Sequence, residues 1–124
     1  MLPVRHALLA LAALTASPQE PAQRIDVALS NFKFTPATIR MKPGNAYILH
    51  LSSSGRHSFK ARTFFAAAKI TPTDRARIAG GKIELEDGDS IEIHLIAPAA
   101  GSYPVRCTHF LHADFGMTGN IIVG

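Results

Sequence analysis

The sequence predicts an all-β domain, a small antiparallel sandwich of about seven or eight strands. Apolar residues alternate with polar ones at a period of two along most of the chain, which is typical of strands buried on one face. Turn signals rich in Gly, Pro, Asn and Asp recur about every ten residues. Hydrophobic residues make up 47% of the 124 residues, so we expect one packed core in a single domain.

The first predicted strands lie in the amino-terminal half of the chain. Ile25, Val27 and Leu29 alternate with small or polar residues. Phe32 and Phe34 continue the same period and predict a further strand. Two more strands are predicted at residues 38–41 and 47–51, separated by a turn at residues 42–45.

The carboxy-terminal half combines strands with one helix-favouring stretch. Residues 64–70 are rich in alanine, the best helix former, and a proline within residues 71–74 predicts the end of this short helix. The clearest amphipathic strand has Ile91, Ile93 and Leu95 on one face. The other predicted strands are residues 57–61, 82–85, 102–107 and 119–123.

Residues 1–16 have the composition of a secretion signal peptide. Arg5 precedes an unbroken apolar run, residues 7–14, and small residues follow it. The run is too short to span a bilayer, which needs about 20 residues; the alternative interpretation is a short buried helix. The predicted organisation is a signal peptide at 1–16, a flexible lead-in at 17–23 and the folded domain at 24–124.

Export predicts where the protein works and raises a question about its cysteine. We expect a mature protein in the periplasm or otherwise outside the cytoplasm, without a lipid or membrane anchor, because no cysteine lies near the predicted cleavage site. Exported domains usually carry cysteines in pairs, whereas this chain has only Cys107. A bound metal would explain a free thiol in an oxidising compartment.

The charge of the chain is mildly positive, with a formal net charge of +4. This net charge is too small, and the basic residues are too scattered, to indicate nucleic acid as a partner. It suits the steering of an acidic redox partner, although the basic and acidic clusters also fit an ordinary solvated surface.

Four residues form a candidate metal-ligand set. Cys107, His112 and Met117 follow one another at steps of five residues, and His57 lies upstream in another predicted strand. A thiolate, two imidazoles and a thioether are the donor set of an electron-transfer copper site. Taken singly, each has a structural alternative, namely a buried cysteine, a core methionine or a surface histidine. Together they predict one copper ion.

Two stretches of the chain resemble the cupredoxins, the small blue copper proteins that include azurin, plastocyanin and pseudoazurin. Residues 103–108, His112 and residues 116–123 are similar to the carboxy-terminal signature of that family. The sequence His57-Ser58-Phe59 is similar to its upstream histidine motif, and the resemblance covers residues 24–124. It implies a Greek-key β-sandwich.

The resemblance also implies how copper would be held. His57, Cys107 and His112 would be the near-trigonal ligands, and Met117 the long axial one. Around the site, the chain departs from the family pattern at two places. Many relatives have Pro-Gly immediately before the loop histidine, where this chain has Phe-Leu, and many have asparagine where this chain has Ser58. We expect Ser58 to hydrogen-bond toward Thr108.

Two features around His112 remain open from the sequence. His109 lies either outside the metal site or within it as an extra or substitute ligand. The apolar neighbours of His112 pack the loop against the core, form an apolar collar where a redox partner docks, or do both. These neighbours are Phe110, Leu111, Ala113 and Phe115.

The function predicted from these residues is one-electron transport between copper(I) and copper(II). We expect a monomer that meets a redox partner transiently. The alternative is a copper-handling or copper-tolerance protein that exchanges copper with a donor or acceptor without routine redox turnover. We do not expect an enzyme, because four protein donors leave no open position for substrate.

Overall fold

The computed structural model describes residues 21–109, 111–112 and 114–124. Ten strands in these residues form two five-stranded sheets that enclose the core between them. The predicted signal peptide at 1–16 and most of the predicted lead-in lie outside the described residues. The first strand begins at Gln23, one residue before the predicted start of the domain.

The elements are numbered in chain order. The strands are β1 (Gln23–Ser30), β2 (Lys33–Thr35), β3 (Thr38–Met41), β4 (Ala46–Ser53), β5 (His57–Lys60), β6 (Lys69–Ile70), β7 (Lys82–Leu85), β8 (Ser90–Ile96), β9 (Gly101–Arg106) and β10 (Thr118–Val123). The helices are α1 (Arg62–Ala67) and α2 (Pro72–Arg75). The first sheet has the order β2-β1-β4-β8-β6, and the second has the order β3-β10-β9-β5-β7.

Alternation of apolar residues produces the buried faces as predicted. In β4, Tyr47, Leu49 and Leu51 are buried, whereas the residues between them are half-buried. Strand β4 lies between β1 and β8 at the centre of the first sheet, where a period-two pattern directs every second side chain into the core. The all-β sandwich predicted from the sequence is confirmed.

The pairing of the strands is mixed rather than wholly antiparallel, which corrects the sequence prediction. Strands β1 and β4 pair in parallel, with Ile25 opposite Leu49. Strands β3 and β10 also pair in parallel, with Ile39 opposite Ile121. The chain crosses from one sheet to the other between these strands, as in a Greek key, so each returns in the direction of its neighbour.

The region between β5 and β7 differs from the predicted single helix. Helix α1 ends at Ala67, and Lys69–Ile70 pair with β8 as the edge strand β6. The predicted break at residues 71–74 contains the short helix α2, because Pro72 occupies its first turn, where proline is tolerated. Among the described residues, no helix is long and apolar enough to cross a membrane.

The prediction from apolar alternation is wrong at Phe32. The period predicted Phe32 and Phe34 on one buried face, but only Phe34 is buried, against Phe59. Phe32 lies in the turn between β1 and β2 with φ of 64°, and its side chain is 41% exposed. The turn moves this ring out of the strand and onto the surface.

One end of the second sheet collects the candidate ligands. Strands β5 and β9 are antiparallel, with Lys60 opposite Arg106, so the first residues of β5 lie beside the residues that follow β9. His57 begins β5, Cys107 follows β9, and Met117 precedes β10, the other neighbour of β9. The sheet therefore brings two distant stretches of sequence to one edge.

Candidate metal centre

Three of the four predicted ligands meet at this edge of the sandwich. One donor atom each from His57, Cys107 and His112 lies within 4.8 Å of the other two. His112 Nδ1 is 3.3 Å from Cys107 Sγ and 3.3 Å from His57 Nδ1. Donor atoms bound to one ion at about 2.0–2.3 Å lie roughly 3 to 4.6 Å apart. The spacing and the chemistry of this donor set fit one copper ion.

The imidazole of His57 is held in the form that binds a metal. Its Nε2 lies 2.9 Å from the carbonyl oxygen of Ser54; because a carbonyl only accepts, Nε2 carries the hydrogen and Nδ1 keeps a free lone pair. Burial lowers the pKa of His57, and the nearby rings of His112 and His109 lower it further, against the opposing effect of the Ser54 carbonyl. The ring is therefore neutral at neutral pH.

The turn before His57 depends on a glycine. Gly55 has φ of 87°, and a Cβ at this position would lie 3.2 Å from His57 Nε2. The N–H of Gly55 donates to Asp87 Oδ1 at 2.8 Å, and its carbonyl accepts from Ser53 Oγ at 2.7 Å. These bonds fix the turn that presents the Ser54 carbonyl to the ring.

Ser58 joins the two stretches that carry the ligands. The N–H of Thr108 donates to Ser58 Oγ at 2.7 Å, and the two hydroxyl oxygens are 2.8 Å apart. The N–H of Ser58 also donates to Cys107 Sγ at 3.4 Å. The predicted contact between Ser58 and Thr108 is present, and a backbone donor on sulfur helps to orient the side chain that a metal would bind.

Met117 is tied to the other loop ligands through the backbone. Its carbonyl accepts from the N–H of Cys107 at 3.1 Å, and its own N–H donates to the carbonyl of His112 at 2.9 Å. The side chain of Met117 is buried in the core. These bonds hold the three loop positions together, and the axial role of Met117 stays a prediction.

His109 is directed away from the three donor atoms. Its Nε2 contacts the carboxylate of Glu84 in β7, and its ring stacks on that of His112 with centroids 5.5 Å apart. Of the two roles left open by the sequence, this geometry favours the one outside the metal site. The Glu84 partner has no signal in the sequence, because it depends on the pairing of β5 with β7.

The surface around His112 is apolar and exposed. Leu111 and Phe115 are 42% and 62% exposed, so much of each side chain faces solvent. Phe32 contributes a third apolar side chain, with its ring edge-on to His112 at a centroid distance of 5.4 Å. We call Phe32, Leu111 and Phe115 the apolar collar; Phe110 and Ala113 lie outside the described residues. Period-two alternation places Phe32 in a strand and gives no signal for this position, because the turn at Phe32 moves its ring to the surface.

This chain is similar to known proteins in fold rather than in overall sequence. No protein-family model matches it, and no curated protein matches it by sequence. Its fold is similar to that of the dithionite-reduced auracyanin from the photosynthetic bacterium Roseiflexus castenholzii, with 20% identity and a TM-score of 0.59 over 85% of this chain and 99% of that chain.

Two further solved structures extend this comparison. Auracyanin A, a blue copper protein from the green thermophilic photosynthetic bacterium Chloroflexus aurantiacus, is 16% identical, with a TM-score of 0.59 over 84% of this chain and 100% of that chain. A multicopper oxidase from Pediococcus acidilactici is 14% identical, with a TM-score of 0.65, but the match spans 87% of this chain and only 27% of the oxidase. At these identities the likeness concerns the fold, and it agrees with the resemblance in the sequence: this chain has a cupredoxin fold.

Proposed function

We propose that this protein is an exported mononuclear copper protein that carries single electrons. The observation that carries the proposal is the convergence of His57, Cys107 and His112, whose donor atoms lie within 4.8 Å of one another at one end of a cupredoxin fold. We propose Met117 as the fourth ligand, because its backbone is bonded to both loop ligands. Copper in such a set supplies a one-electron redox couple.

The residues around the donors support electron transfer by holding the site still. His57 is tied to the Ser54 carbonyl, and the loop is tied to β5 through Ser58 and Thr108. A scaffold that keeps the donors in place limits the rearrangement that accompanies a change of oxidation state. Rigid support of this kind suits repeated electron transfer better than repeated release of the metal.

The exposure of the ligands supports a docking position for the redox partner. The side chains of His57 and Cys107 are buried, each in a residue only 1% exposed, whereas His112 is half-buried beside the apolar collar. We propose that a partner docks there transiently. Redox encounters of this type need small interfaces, under about 1,200 Å².

We propose that the protein is not an enzyme. With Met117 bound, four protein donors would leave no position for substrate, unlike a catalytic metal site. The similarity to multicopper oxidases does not favour catalysis, because this chain spans only 27% of the oxidase from Pediococcus acidilactici. Export rests on the signal-like composition of residues 1–16.

The test is an absorption spectrum and a voltammogram of the copper-loaded mature protein, repeated for Cys107→Ser and His109→Ala. We expect an intense visible band and a reversible potential in the parent, no band in Cys107→Ser and little change in His109→Ala. A band retained by Cys107→Ser would contradict the ligand assignment. A colourless copper(I) protein that passes its metal readily to a chelator would instead indicate copper handling.

A further inference from the structure

Three basic side chains lie side by side on the outer face of the second sheet. Lys60 in β5 is the register partner of Lys82 in β7 and of Arg106 in β9. Register partners point to the same face of a sheet, and neighbouring strands are about 4.8 Å apart. The three charges therefore form a row about 10 Å long, perpendicular to the strands.

Like charges directly opposite each other on neighbouring strands are destabilising, and this row has few counter-ions. Among the described residues, no carboxylate lies within 4.0 Å of Lys60 or Arg106, and Lys82 is 3.5 Å from Glu84. Glu84 is shared, since it also contacts His109. Substitution of Lys60 by glutamine should therefore relieve both pairs of like charges.

The row borders a small cleft that adds a fourth positive charge. The cleft has a volume of about 120 Å³, and Arg62 lines it beside Lys60 and Arg106. We call Lys60, Arg62, Lys82 and Arg106 the basic face. The four charges are spread over three strands and one helix, and this spread suits a broad acidic partner better than a single inorganic anion.

The basic face is adjacent to the candidate metal centre. Glu84 lies two residues beyond Lys82 in β7 and contacts His109, whose ring stacks on that of His112. A partner seated on the basic face would thus lie near the half-buried ligand, with Glu84 and His109 between them. The strands of the second sheet contain Glu84 as their one acidic residue, so nothing else in these strands opposes such a partner.

We propose that the basic face docks the carboxylate-rich surface of an acidic protein. The inference names the surface chemistry of the redox partner and in that respect rests on the proposed function. Complementary charge raises the rate of encounter and fixes orientation more than it raises affinity. Docking should therefore be weak, fast and sensitive to salt.

The experiment measures binding of a labelled short peptide of alternating glutamate and glycine to the mature protein, by fluorescence anisotropy at low salt. The test variant is Lys60→Gln/Arg106→Gln. The matched control is Lys69→Gln/Arg77→Gln, which removes the same charge from exposed residues outside the basic face. Inorganic phosphate and vesicles of anionic lipid are run as competing probes.

We expect the peptide to bind about tenfold more weakly to Lys60→Gln/Arg106→Gln, the control pair to stay within about twofold of the parent, and added salt to remove the difference. Equal weakening in both pairs would overturn the proposal, because net charge alone would then explain binding. Tighter binding of phosphate or of vesicles than of the peptide would overturn it in favour of a small-anion or membrane site.

A second measurement separates this role from a structural one. Lys60 faces like charges on both sides. Lys60→Gln should therefore raise the midpoint of thermal unfolding while weakening the binding of the peptide. A fall in the midpoint with unchanged peptide binding would mean that Lys60 has only a structural role and would contradict the inference. Peptide binding does not require copper, so failure of the copper assignment would leave this result readable on its own.

Discussion

The two histidines of the candidate centre lie in contrasting surroundings. His57 begins strand β5, is 1% exposed, and is fixed by the carbonyl of Ser54. His112 lies in the loop between β9 and β10, is half-buried, and has Phe32 edge-on to its ring. One imidazole is held by the backbone of the sandwich, and the other forms part of the surface.

This difference separates two tasks within one small site. The strand side positions donor atoms, and the loop side makes the site accessible. Changes on the strand side should alter the binding of copper and the stability of the fold. Changes on the outer surface of the loop should alter only how the protein meets its partner.

The largest expected effect is the loss of either imidazole. His57→Gly and His112→Gly should each lower copper affinity by more than the 10- to 100-fold typical of losing a supporting residue. Added imidazole should restore the visible band in His112→Gly, where the vacated space opens to solvent, and not in His57→Gly. Absorption titration checks this, and equal rescue of both variants would contradict the contrast between buried and accessible sides.

The next largest effect is expected from the loss of the hydrogen bond that joins β5 to the ligand loop. Ser58→Ala removes the acceptor of the partly buried Thr108 N–H, which should lower the free energy of unfolding by about 1 kcal/mol. Thermal unfolding and the copper(II) spectrum are the measurements. Ser102→Ala, at an exposed position of β9, is the control, and an equal response to both would refute the link.

A matched pair of glycines tests the turn before His57. Gly55 and Gly44 have φ of 87° and 76°, so alanine at either should cost about 1–2 kcal/mol of stability. A Cβ at Gly55 meets His57 Nε2 at 3.2 Å, whereas one at Gly44 meets nothing within 4 Å. Only Gly55→Ala should therefore shift the copper spectrum, and a shift in Gly44→Ala would count against the local explanation.

Asp74 lies outside the candidate metal centre, so its titration tests how the stability of the fold depends on pH. Asp74 is mostly buried, which opposes ionisation, but hydrogen bonds from the backbone and ring of His94 and from Thr71 outweigh this and lower its pKa below 3.8. Its contribution, about 1 kcal/mol, is present above about pH 4. It is lost as the pH falls through the lowered pKa.

Asp74→Asn should accordingly reduce the thermal midpoint at pH 6 and converge with the parent as the pH falls below about 4. Midpoints measured across this range check the expectation. A difference that grows toward acid would show that the pKa of Asp74 is raised instead.

The smallest expected effect on the fold comes from the apolar collar. Phe115→Ser should change stability by less than about 0.5 kcal/mol and leave the copper spectrum unaltered, because Phe115 is 62% exposed. Electron self-exchange between copper(I) and copper(II) protein should slow several-fold, since the collar surrounds His112. The control is Ile96→Ser, at an exposed apolar residue of β8. Equal slowing of electron self-exchange in both variants would show that the apolar collar has no particular role in docking.

Local patterns in the sequence predicted much of this molecule. Alternation of apolar residues predicted most of the strands, β3 and β7 to the residue. The run from Cys107 to Met117 predicted one loop bearing three donors, because residues close in sequence cannot lie far apart. The short helix α2 and the turn at Phe32 were missed, since both depend on the strands that follow them.

The sequence by itself determined the donor chemistry and the strand periodicity, because both are carried by residue type and short-range spacing. Only the tertiary structure decided that His57 lies beside Cys107, that Phe32 joins the collar, and that Lys60 lies between Lys82 and Arg106. These neighbours come from strand pairing and register. Pairing and register depend on packing of the whole core, which no local stretch of sequence specifies.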